Sequence, residues 1–388
     1  MLAPTLLFDA AVSTGGFAAR ALRFCLLPGG DHPEVPVLTP TPGLVMSMFA
    51  EELMLVAASV VDRRVHDEDE LRRIGEDTDR ALQIFDTNGW LDDPASYHQA
   101  PPPPQRVKFE PGEFRGVEYR RLSFASGYQP ADGLPGSDRW LAQEANQRGY
   151  AHVLEHRGKP RPWLVLVHGF GMGSPADLVF LRGLDYYRDG FNVLAPVLPL
   201  HGPRRAGRMS GGGLLSVDWV ANVHALTQTV WDVRRCLAWI RERGAPAIAV
   251  HGLSLGGYTT ALLAGLDGQL DCVVAGAPPA TIHRPLTTAF ARNPWLRRTM
   301  ERHGLLGDRT EAVHKVVTAT ALPCRVPHER RFIYAGAADR LATPTQSYLL
   351  WEHWEKPTIH WVPGAHLFTA RSPEVHRFVR DAVNACAP

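Results

Sequence analysis

Apolar residues follow two different rhythms along the chain, and the change comes after about residue 110. Before that point the pattern is helical. Leu44 to Val61 is apolar enough for a buried helix. Asp67 to Phe85 sets Leu71, Ile74, Leu82 and Ile84 among charges at helical spacing, which predicts an amphipathic helix. The run Asp67-Glu68-Asp69-Glu70 suits the start of that helix, where the positive end of the dipole favours acids. Pro101-Pro102-Pro103-Pro104 then stops regular structure and reads as a stiff connector.

Beyond about residue 115, short apolar runs alternate with helical stretches. Val117 to Ser126 alternates like an edge strand, with Tyr150 to Glu155 as its partner. Trp163 to Val167 is wholly apolar between Pro162 and Gly169, as a strand buried on both faces requires. Further strands are predicted at Phe191 to Val197, Ala247 to Val250, Cys272 to Gly276, Arg331 to Ala335 and Thr358 to Val362. Helices are predicted at Asp177 to Asp189, Asp218 to Arg243, Gly257 to Ala264, Thr345 to Glu355 and Pro373 to Ala385. The longest of these puts Val220, Val223, Leu226, Val230, Val233, Leu237 and Ile240 on one face. This alternation predicts an α/β chain, a doubly wound and mostly parallel sheet covered on both faces. The domain expectation is a helical extension over residues 1–110 and an α/β domain over 111–388. An irregular region at about 281–329 is read as a small cap insertion.

Composition narrows the function classes. At 388 residues and 45% hydrophobic the chain can bury a large core. A net charge of +1 gives no reason to expect a nucleic-acid partner. Cys25, Cys236, Cys272, Cys324 and Cys386 show no metal or redox spacing, so reduced structural thiols and no metal site are expected. Asp9, Arg20 and Arg23 interrupt the first thirty residues, which argues against a signal peptide. No run reaches the roughly eighteen apolar residues of a membrane span. A soluble, cytoplasmic protein is the resulting expectation.

The chemistry concentrates at Gly252-Leu253-Ser254-Leu255-Gly256, which follows the apolar run Ala247 to Val250. Gly-x-Ser-x-Gly between a strand and a helix is the signature of a nucleophile elbow. The turn is so tight that the residues two before and two after the serine must lack bulk, and glycine has no Cβ to clash. A serine hydroxyl needs a base, usually a histidine held by a carboxylate. His366 follows the strand Thr358 to Val362, and Asp339 follows the strand Arg331 to Ala335. His360 is a weaker rival base because it lies inside its strand, and Asp308 and Asp271 are weaker rival acids. An oxyanion hole needs backbone N–H groups beside the nucleophile. Leu255 supplies one candidate. The glycine-rich loop His168-Gly169-Phe170-Gly171-Met172-Gly173 supplies the other, with Phe170 first and Gly169 or Gly171 if the turn is shifted.

Residues from about 115 to 388 resemble the α/β-hydrolase superfamily at four places. These are His168-Gly169-Phe170-Gly171, the elbow at Ser254, the Asp339 loop and the His366 loop. Leu198-Pro199-Leu200-His201-Gly202 is similar to a loop that often follows the next strand there. Within the superfamily the chain resembles dienelactone-hydrolase-like and other abhydrolase-domain proteins, although dienelactone hydrolases carry cysteine where this chain has Ser254. The resemblance implies an α/β-hydrolase fold. It implies a serine hydrolase acting on a carboxylic ester, a thioester or an amide of a small acyl substrate, with no cofactor. It does not reach residues 1 to about 110. Candidate substrate contacts are His168, Phe290 and Trp295, with packing of the cap onto the body as the plainer reading of the last two. Arg204, Arg205 and Arg208 cluster where they could meet an anionic substrate, with solvated side chains as the plainer reading. An acyltransferase on the same fold and a non-catalytic binding protein are the alternatives. The presence of Ser254, Asp339 and His366 together argues against the second.

Overall fold

A nine-stranded sheet organises the computed structural model, which describes residues 32, 34–39, 41–61, 67–291 and 294–387. The expectations on the first thirty residues, including Cys25, lie outside the described residues. The strands are β1 (Lys108–Phe114), β2 (Val117–Ala125), β3 (Arg148–Leu154), β4 (Trp163–Val167), β5 (Asn192–Val197), β6 (Ile248–Leu253), β7 (Cys272–Gly276), β8 (Arg331–Gly336) and β9 (Thr358–Val362). They lie in the order β1-β2-β3-β5-β4-β6-β7-β8-β9. The first three are antiparallel to their neighbours, and β5 through β9 run parallel. The predicted mostly parallel sheet is therefore present.

The continuous apolar runs explain the centre. Every residue of β4, β5, β6 and β7 is buried, because helices cover both faces of a parallel sheet. One apolar cluster on the first face joins β4 and β6 to two helices, α6 (Trp219–Glu242) and α7 (Leu255–Leu266). A second cluster on the other face joins Leu164, Leu166, Val274 and Tyr334 to Leu178, Tyr186, Val375 and Val379.

The structure departs from the sequence reading in four elements. Val117–Ala125 is not an edge strand, because β1 pairs with it from Val117 to Ser123. The stretch from Asp177 to Asp189 is two short helices, α4 (Ala176–Phe180) and α5 (Gly183–Arg188). Arg182 between them takes φ +58°, which breaks the helix. The region at 281–329 is largely helical, with α8 (His283–Ala291), α9 (Pro294–Arg302) and α10 (Asp308–His314). Helix α1 (Pro42–Val61) lies against the body by one side, with Met48 and Glu51 buried and Met46 64% exposed. The amphipathic helix is present as α2 (Glu68–Thr87), and the Asp67 carboxylate caps it by accepting from the amides of Asp69 and Glu70.

Candidate active site

The chain enters the parallel block at β4, moves outward to β5, and crosses back to β6. That reversal leaves a crevice beyond the carboxyl ends of β4 and β6, the place where open α/β sheets bind ligands. Ser254 follows β6 directly, and the loop from His168 follows β4. Parallel pairing aligns Val167 with Gly252, so the two loops leave the sheet side by side. The loops after β8 and β9 emerge on the same edge and carry Asp339 and His366.

Ser254 has φ +58° and ψ −115°, a conformation costly for a residue with a Cβ. Its surroundings impose it. A Cβ on Gly252 would collide with the Gly256 carbonyl, and one on Gly256 with the Val167 and His168 carbonyls. A Cβ on Gly257 would sit 2.6 Å from the Gly276 oxygen. The Ser254 N–H donates to that same Gly276 oxygen at 2.7 Å. Two of these glycines were expected from the pentapeptide, whereas the need at Gly257 comes from the neighbouring strand.

The structure brings Ser254, His366 and Asp339 into one line of hydrogen bonds. His366 Nε2 is 2.8 Å from Ser254 Oγ, and His366 Nδ1 is 2.6 Å from Asp339 Oδ2. A carboxylate only accepts, so Nδ1 carries the proton and Nε2 is free to accept from the serine. Asp339 is 1% exposed. Its other oxygen accepts from the amides of Leu341 and Ala342, each at 2.8 Å. Burial opposes a charge on His366. The negative charge and hydrogen bond of Asp339, with a smaller pull from Glu51, outweigh it and hold the imidazole pKa above its ordinary value. Of the rivals, Asp271 accepts from the Ile248 amide at the opposite end of the sheet. His360 lies within β9 near Glu374.

The loop from His168 turns tightly after β4. The Met172 amide donates to the Gly169 carbonyl at 3.4 Å, and Gly171 has φ +81°, as the third position of a type II turn demands. His168 is buried at 1% exposure. Its Nε2 accepts from the Leu198 amide at 3.1 Å, so its Nδ1–H donates to the Gly169 carbonyl at 2.8 Å. Both ring nitrogens are thus occupied, and burial holds its pKa well below the usual imidazole value. His168 was expected as a substrate contact; in the structure it lies buried against its own loop, with both ring nitrogens bonded to backbone. By drawing the Gly169 carbonyl towards itself, it turns the N–H of the same peptide unit, that of Phe170, the opposite way. Gly169 abuts the elbow, since a Cβ there would lie 3.5 Å from Ser254 Cβ. The Leu255 amide is at the first position of α7, where a helix N–H has no intrahelical acceptor.

Phe290 and Trp295 lie on α8 and α9. Phe290 is 3% exposed, with its ring 6.4 Å from that of Trp219, in the packing between α8 and α6. Trp295 is 40% exposed on α9. Arg204 is not solvated as expected. It is fully buried and donates to Asp232 at 2.7 Å and to the carbonyls of Val197 and Asn146 at 2.9 Å. Sequence reasoning missed Glu51, whose side chain is fully buried and accepts from the Arg340 amide at 3.0 Å. Its signal was the acidic pair Glu51-Glu52 within a largely apolar helix, where burial of an acid is allowed only with a partner. Among the described residues no cluster of metal-ligating side chains occurs, Cys236, Cys272 and Cys324 are free thiols, and no helix is long and apolar enough to cross a membrane.

Comparison with known proteins agrees with this fold. The model of the alpha/beta hydrolase family matches residues 164–387. Two uncharacterised proteins of Mycobacterium tuberculosis, from strains CDC 1551 and H37Rv, are similar over 375 residues at 38% and 37% identity, covering 95% of this chain and 88% of theirs. Among solved structures, acetyl xylan esterases from Thermoanaerobacterium and Paenibacillus are similar in fold. Their TM-scores are 0.55 and 0.52 at 15% and 16% identity, over 78% of this chain and 93% of each of theirs.

Proposed function

Because the chain belongs to the alpha/beta hydrolase family, we propose that this hydrolase is a serine hydrolase that cleaves a carboxylic ester or thioester through an acyl-enzyme, with Ser254 as nucleophile. The observation that carries the proposal is the line Ser254 Oγ, His366, Asp339, with contacts of 2.8 and 2.6 Å at the crevice between β4 and β6. His366 Nε2 takes the serine proton as Oγ bonds to the substrate carbonyl carbon. The carbonyl electron pair moves onto oxygen, where the N–H groups of Phe170 and Leu255 hold it. As that intermediate collapses, the bond to the alcohol or thiol breaks and His366 returns its proton to the leaving group. Water then attacks the acyl-enzyme with His366 again as base, which frees the acid and restores Ser254. Asp339 keeps the imidazole in the tautomer that leaves Nε2 open and steadies the imidazolium that forms.

A fluorophosphonate probe should label the folded protein, and Ser254→Ala should abolish labelling. The same variant should lower turnover of a p-nitrophenyl ester by about a thousandfold or more. Ester hydrolysis by Ser254→Ala at close to the normal rate would remove Ser254 from the mechanism.

A further inference from the structure

We propose that Glu51, on the helix preceding the sheet, is a positioning residue that braces the Asp339 loop and so fixes His366 as the base. The inference rests on the serine-hydrolase reading given above.

Three consecutive backbone amides follow Asp339, and a carboxylate holds each of them. Leu341 and Ala342 donate to Asp339 itself, and Arg340 donates to Glu51 Oε2 at 3.0 Å. The loop that aims the acid is therefore fixed from inside by its own side chain and from outside by Glu51. The contact is buried, with Glu51 at 0% exposure. A buried carboxylate on a backbone amide makes a strong, charge-assisted bond. The helix that carries Glu51 is itself anchored at this place. Val35, Leu38 and Met48 pack with Ala337 and Ala338, the two residues before Asp339, and Leu44 and Trp361 border the cluster. Helix α1 also packs against α12 (His366–Thr369), the short helix that His366 opens. The segment before the sheet thus closes over the acid loop and the base together.

The second effect is electrostatic. The charges acting on His366 are Asp339, from the loop after β8, and Glu51, from α1, and both favour the protonated ring. Ser254, from the elbow, is the third group facing the imidazole and is neutral. Two buried negative charges behind the ring stabilise the imidazolium formed when the serine proton is taken. Glu51 touches no reacting atom and acts through Asp339 and His366.

Glu51→Gln and Glu51→Ala separate the two effects in the full chain. The glutamine oxygen can still accept from Arg340, so the loop holds while the charge is lost. The acidic limb of kcat/KM should then move to lower pH with KM little changed. Glu51→Ala loses both effects, and kcat should fall by about tenfold, the low end of the cost of removing a supporting hydrogen-bond partner in other sites. Thermal unfolding and the fraction labelled by fluorophosphonate report folding for each variant. Glu51→Gln with a pH profile superimposed on the wild type overturns the inference while leaving Ser254 in place. So does activity in both variants that follows only the folded fraction. A folded wild type that takes no label, with Ser254→Ala hydrolysing esters as well as the wild type, overturns the underlying reading and this inference with it.

Discussion

Asp339→Asn changes one atom of a buried side chain, and the hydrogen bonds around it determine the consequence. One carboxylate oxygen holds the Leu341 and Ala342 amides at 2.8 Å each, and the other holds the His366 Nδ1–H at 2.6 Å. Asparagine has a single oxygen to serve both sides. Two amide donors outnumber one imidazole N–H, so the oxygen stays on the backbone side and the NH2 turns to His366. An NH2 cannot accept, so Nδ1 must give up its proton and become the acceptor. The proton then resides on Nε2, pointing at Ser254 Oγ, where it blocks the transfer the reaction needs. The same exchange of acid for amide in serine proteases costs about 10,000-fold in kcat. At about 1.36 kcal/mol per tenfold, that is about 5.5 kcal/mol of lost transition-state stabilisation. The assay is kcat for a p-nitrophenyl ester together with the rate of fluorophosphonate labelling, and both should fall. The melting temperature should change little, because the two backbone amides keep their acceptor. A loss of less than about tenfold in a folded variant would refute the argument, since it would mean that the tautomer of His366 is set by something other than Asp339.

Two further predictions concern the scaffold. Burial lowers His152, His201 and His251 to about 4 and His314 to about 3, while an unfolded imidazole titrates near 6.5. Below about pH 6.5 the unfolded chain therefore binds protons that the native rings refuse, so stability present at neutral pH is lost as pH falls towards 4. Each ring costs about 2 kcal/mol at pH 5, and four together approach the roughly 5–15 kcal/mol of an ordinary domain. Far-ultraviolet circular dichroism should record unfolding near pH 5, and an unchanged spectrum at pH 4 would contradict it. Gly256→Ala places a Cβ against the Val167 and His168 carbonyls, which belong to backbone that cannot swing aside. It should destabilise the protein by about 3 kcal/mol in urea titration, and a loss below about 1 kcal/mol would show that the elbow can relax.

Most of the sheet was legible because burial on both faces leaves an unbroken apolar run, as in Trp163–Val167 and Cys272–Gly276. Strand β1 was not. Lys-Phe-Glu-Pro-Gly-Glu-Phe carries charges and a proline, which an edge strand tolerates and a sequence reader takes for a loop. The expected helix from Asp177 broke at Arg182 because its apolar pattern continues across a residue whose backbone leaves the helical region. Arg204 looked solvated because its partner Asp232 lies on a distant helix. The meeting of Ser254, Asp339 and His366 could be anticipated from order alone, since each follows a strand of one parallel sheet. Glu51 and Arg340 are 289 positions apart and belong to no common pattern. Nothing in local sequence could join them.

The site is built in two packed halves, and the bond between His366 and Ser254 spans them. In one half Gly256 abuts the end of β4, Gly169 abuts Leu253 and Ser254, and Ser254 is tied to the Gly276 carbonyl. The proposed nucleophile and oxyanion donors therefore share one set of close backbone contacts, and that set maintains the positive φ of Ser254. In the other half the loops of acid and base are bonded to each other. The Ala337 amide donates to the Val362 carbonyl at 2.9 Å and that of Ala338 to Gly364 at 3.1 Å. A Cβ on Gly336 would lie 2.6 Å from the Gly364 oxygen and 2.8 Å from Thr369 Oγ1. The bond between His366 Nε2 and Ser254 Oγ spans the two halves. Strain can persist at Ser254 because its own half holds it there, so the base need not pull the serine into place. On the proposed mechanism the demand on His366 reduces to aim and tautomer, and both come from the half that Asp339 and Glu51 hold together. A perturbation confined to that half should therefore alter the base and leave the nucleophile's backbone as it is.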